Sequence, residues 1–111
     1  MASIGVSVVV TLMAAAQGCS AHHPDILRSV AEAKTPADHE AIAEYFEEQA
    51  AENEALASFH RRLAETYSQW HNSYKVNMVQ HCDKVADEYA KIAAEDSALA
   101  QEHRKLAQEV K

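Results

Sequence analysis

The sequence predicts an all-α protein built as an antiparallel two-helix hairpin, and three observations predict it. The first is an internal repeat: His39 to Ala64 aligns without a gap on Cys82 to Ala107, with 11 of 26 positions identical. Two copies of one amphipathic helix must pack on each other or on something else, because neither buries its apolar face alone. The second is a shortage of helix breakers, with Gly 2 and Pro 2 among 111 residues and alanine abundant. The third is spacing: apolar residues recur at alternating steps of three and four through both copies, the pattern of a heptad seam.

Taken in order, the first element is an apolar run of 13 residues, Ile4 to Ala16. A membrane span needs ~20 residues, so the run fits the core of a secretory signal better. The residues that follow, Ala16-Gln17-Gly18-Cys19, resemble the lipobox of bacterial lipoproteins. The resemblance implies a signal peptide over residues 1–19 and lipidation at Cys19. The sequence departs from that pattern in having Ala16 where Leu is usual, and in having no Lys or Arg before the apolar run. Ordinary cleavage after Ala21 and an uncleaved membrane helix are the alternatives. All three place the remainder outside the cytoplasm, in the periplasm or cell envelope, with membrane contact only through the lipid anchor or the signal segment.

Residues 20–34 read as a tether. His22-His23-Pro24-Asp25 suits a turn, and Asp25 to Ala31 suits a short helix. Thr35-Pro36-Ala37-Asp38 is a helix start, with a threonine cap, a proline at the first helical position and an acid in the first turn. The hairpin domain is therefore expected over 35–111, with helices at 36–67 and 78–110 and a connection at 68–77. Each helix of about 30 residues is roughly 45 Å long.

The seam of the first helix runs His39, Ile42, Phe46, Gln49, Asn53, Leu56, His60, Leu63, Tyr67. That of the second runs Cys82, Val85, Tyr89, Ile92, Asp96, Leu99, His103, Leu106, Val110. Beside each seam lies an alanine at every seventh position, from Ala43 to Ala64 and from Ala86 to Ala107. Small residues at that phase bring helix axes to the near end of the usual 8–10 Å range. An antiparallel pairing sets His39 opposite His103 and His60 opposite Cys82. It also sets Asn53 near Tyr89, and Asp96 near Phe46. A lone hairpin leaves much of its apolar stripe uncovered, so dimerisation into a four-helix bundle is expected, with packing by the Ile26–Val30 segment as the alternative.

Composition removes several classes of function. The net charge of −7 and the lack of a basic stripe argue against nucleic-acid binding. No nucleophilic triad is legible, and no Glu-x-x-His stands on an inner face, so neither a hydrolase nor a di-iron enzyme is expected; the chain reads as a non-enzyme. Seven histidines in so short a chain direct attention to metal. His60 and Cys82, with Met78, His81 and His71 from the connection and the start of the second helix, form a soft donor set suited to copper. Zinc and haem b are the alternatives, and the absence of CxxCH excludes covalent haem. His39 and His103 form a second candidate metal site at the other end. The reading is an exported, lipid-anchored copper-binding bundle acting in storage, delivery or electron transfer. The competing reading is a structural or interaction bundle without metal, binding a partner helix or protein. In that case the histidines are core residues copied by the repeat, and Met78 is packing.

Overall fold

A computed structural model describes residues 25–110 of the chain. The signal segment, Cys19 and His22-His23 lie outside the described residues. Within them the protein is all-helical, and its two long helices pack against each other. No described helix is long and apolar enough to cross a membrane.

Each boundary has a local cause. Helix α1 spans Ile26–Glu32 and starts where the Asp25 carboxylate accepts a hydrogen bond from the Arg28 amide, at 3.3 Å. Helix α2 spans Pro36–Ser68. The Thr35 hydroxyl accepts from the Asp38 amide at 3.1 Å, while the Asp38 carboxylate accepts from the amides of Thr35 and Lys34, both at 2.8 Å. This reciprocal box satisfies amides that a helix start otherwise leaves unpaired. Those backbone hydrogen bonds, with Lys34 foremost, hold the Asp38 carboxyl below its usual range.

Helix α3 spans Lys75–Glu109, starting three residues before the expected start at 78. The turn explains the early start. The Asn72 side chain accepts from the Tyr74 amide at 3.0 Å, and the Tyr74 carbonyl accepts from the Met78 amide at 3.1 Å. Once an Asx turn aims the chain, Lys75 to Asn77 become helical without a seam residue among them.

The core is the alanine stripe rather than the heptad seam beside it. Ala43, Ala50, Ala57 and Ala64 of α2 and Ala86, Ala93 and Ala100 of α3 are buried, together with Cys82 and Ile42. Among the described residues, Ile42 is the one large side chain that is fully buried. At 100° per residue, the residue just before each alanine lies far round to one side of it. On that side stand Leu56, Ile92, Leu99 and Leu106, exposed by 39 to 48%. On the other side stand Glu40, Glu47 and Arg104, and these meet across the helix pair. The Arg104 guanidinium is hydrogen-bonded to Glu47, and it lies 3.8 Å from Glu40. The hairpin therefore has one apolar edge and one charged edge.

Pairing across the seam follows the repeat. Asn53 Nδ2 donates to Asp96 Oδ2 at 2.9 Å, and these two residues are equivalents 43 apart in the sequence. The bond lies on a pseudo-twofold axis. On either side, the Phe46 ring stacks on His103 (6.1 Å, 18°) and the Tyr89 ring stacks on His60 (5.6 Å, 19°). The hydrogen bond at this level thus joins Asn53 to Asp96 rather than Asn53 to Tyr89. Each seam residue lies between two on the facing helix, and the polar side chains take the alternative that pairs donor with acceptor. Among the described residues no buried side-chain nitrogen or oxygen lacks a partner. Gln49 also avoids burial without a partner: its amide turns outward to Glu52, at 3.5 Å.

Candidate functional site

The two ends of the hairpin carry the candidate ligands. At the open end, His39 from the second turn of α2 faces His103 from the last turns of α3. Their Nδ1 atoms are 3.1 Å apart, and the ring centroids 5.3 Å. Both rings are half-buried. Burial, and then the proximity of His39, pushes the His103 imidazole below its ordinary value, so it is neutral near pH 7. Phe46 backs the His103 ring and restricts its orientation.

Four carboxylates near this end have partners. Asp38 is held by the cap of α2. Glu47 and Glu40 face Arg104, and Glu102 accepts from Lys105 at 2.7 Å. The Arg104 guanidinium holds Glu47 below the usual carboxylate range, and Glu47 in turn raises Arg104. The two imidazoles, paired with each other at Nδ1, are the imidazole donors of the open end.

The loop end does not assemble in the same way. The repeat carries His39 to Cys82 and His103 to His60, but no hydrogen bond joins His60 to Cys82 among the described residues. The His60 ring stacks on Tyr89 and lies edge-on to Phe59, at 5.3 Å. Cys82 is a buried free thiol of the seam, one turn before Ala86 of the alanine stripe. Met78 is half-buried, whereas His71 and His81 are exposed. Position explains the separation. His81 precedes Cys82 in the helix and so points about 100° away from it, and His71 sits in the turn between Trp70 and Asn72. Among the described residues, no three His, Cys, Asp or Glu side chains group as a metal site.

The charged edge is asymmetric as well. Arg61 is the repeat equivalent of Arg104, but Ala90 stands where Glu47 has its counterpart. The Glu47–Arg104 bond therefore has no copy at the loop end. There Arg61, Ala64, Glu65, Ser68, Val79 and Asp83 line an open groove of about 360 Å³. The residues that sequence reasoning passed over are Phe46, as the support of His103, and Arg104, as the clamp beside it. The repeat itself contained the signal for both, through the pairs Phe46/Tyr89 and Arg61/Arg104.

Compared with protein-family models, with curated proteins and with solved structures, the chain matches none.

Proposed function

We propose that the protein is a self-associating helical module of the cell envelope, two hairpins joining along their apolar edges into a four-helix bundle. The observation that carries this reading is the row Leu56, Ile92, Leu99 and Leu106, left exposed by 39 to 48% along one edge. A hairpin whose buried residues are almost all alanine gains little from their burial, because the hydrophobic contribution scales with apolar area. The row supplies four large apolar side chains still available for burial along one edge. The row draws Leu56 from α2 and Ile92, Leu99 and Leu106 from α3, and a second copy related by twofold symmetry presents the same surface to it. In this reading residues 1–34 connect the bundle to the export route, with Cys19 as the membrane anchor, and the seam can also receive a partner helix.

The test is the molecular mass of the full chain by sedimentation equilibrium. A dimer is expected, and the double substitution Leu56→Glu with Leu99→Glu is expected to give a helical monomer. A wild-type chain that stays monomeric at high micromolar concentration, or a double variant that still dimerises, overturns the proposal. The metal-binding reading has a separate support, at the open end.

A further inference from the structure

We infer that His39 and His103 form a bidentate site for a divalent late transition metal, with Cu(II) the preferred ion. This site is independent of whether the hairpin dimerises. The two Nδ1 atoms are 3.1 Å apart. Imidazole nitrogens bind such metals at about 2.0–2.1 Å, so two nitrogens 3.1 Å apart subtend an angle of about 100° at one ion. That angle falls between the 90° of a tetragonal site and the tetrahedral value. It does not suit linear two-coordinate Cu(I), which needs its donor nitrogens about 4 Å apart at the same bond length. Among divalent ions, imidazole donors favour Cu(II) over Zn(II) and Ni(II).

The surroundings favour binding in three ways. His39 and His103 stand on different helices, 64 residues apart in sequence, so the folded hairpin brings the two donors together before any ion arrives. Phe46 stacks on His103 and limits its rotation. The positive charge of Arg104 beside the site is offset by Glu40 and Glu47. Glu40, Glu47, Glu102 and Asp38 are occupied elsewhere, so water or an exogenous ligand completes the coordination. In the metal-free protein one Nδ1–H donates to the other Nδ1, and metal binding moves that ring's proton to its Nε2 so that both Nδ1 lone pairs are free.

The experiment titrates the full chain with Cu(II) and, separately, with Zn(II) against a competing chelator. Electron paramagnetic resonance then reads the copper form. One Cu(II) per chain is expected, bound more tightly than Zn(II), with hyperfine coupling from two imidazole nitrogens. Replacing a group beyond the ligands commonly lowers metal affinity 10–100-fold. His39→Gln and His103→Gln, each replacing a ligand, should therefore each lower affinity by about tenfold or more, with helicity retained. His60→Gln and Cys82→Ser should leave binding unchanged. Three results overturn the assignment: no uptake, copper retained by the His39→Gln/His103→Gln double variant, or a thiolate-to-copper band that Cys82→Ser abolishes. The second would place the ion elsewhere, and the third would place it at the loop end.

Discussion

Leu99 and Ala100 are neighbours in the chain, yet Ala100 is 1% exposed and Leu99 44%. The same contrast separates Ala57, at 0%, from Leu56, at 40%. The small residue is the interior of the hairpin and the large one lies along its edge. Helix pairs that close on alanine bring their backbones near each other, and the larger side chains are then displaced to the flanks. The stripe that holds the two helices together and the row proposed for self-association are therefore different stripes of the same helices.

The contrast can be broken most forcefully from the inside. Ala100→Leu inserts three heavy atoms where the facing backbone leaves no room, and should destabilise the hairpin by about 1–3 kcal/mol in urea unfolding. Leu99→Ala should leave the packing of α2 on α3 in place, and instead weaken self-association at low concentration. If the two substitutions have equal effects on unfolding, the alanine stripe is not the interior.

The next effect concerns the axis. Asn53→Leu removes the donor to a half-buried carboxylate, and should cost about 1–2 kcal/mol. Adding Asp96→Leu should recover much of that loss, which a double-mutant cycle in urea will measure.

A smaller effect depends on pH. The folded chain holds His103 below its ordinary value of about 6.5, so the unfolded chain takes up that proton first as pH falls. The stabilising contribution is complete above about pH 6.5 and is lost as pH drops through the depressed value. The melting temperature should therefore fall between pH 7.5 and pH 5, and His103→Gln should flatten that part of the profile. The smallest effect belongs to the charged edge: Arg104→Ala should move the melting temperature only slightly, and still less in high salt.

Much of the fold could be read from the residues. The Thr35 cap, the proline start and the repeat are local signals, and they locate α2 and its partner. The facing of His39 and His103 follows from the repeat and an antiparallel turn. The phase of the interior was not readable in the same way. A heptad with apolar residues at two positions and alanine beside them is compatible with either stripe facing inward, and only backbone approach decides between them. Nor could spacing alone separate the two ends. Met78, His81 and Cys82 lie close in sequence, but His81 is turned outward while Cys82 is buried. His60 had an aromatic neighbour to stack on, and that neighbour is the repeat equivalent of the one behind His103.

The Asn53–Asp96 bond carries one more consequence. Had two separate, identical helices paired in this way, each residue on the axis would face its own duplicate, asparagine against asparagine or aspartate against aspartate. Two like carboxylates there would repel. Joining both copies in one polypeptide lifts that restriction, because the two partners can then be encoded independently. A donor can stand against an acceptor at the centre, and His39 can be retained at one end while its counterpart becomes Cys82. Linkage thus turns a symmetric scaffold into one with two chemically distinct poles, and it does so without altering the backbone that both halves share.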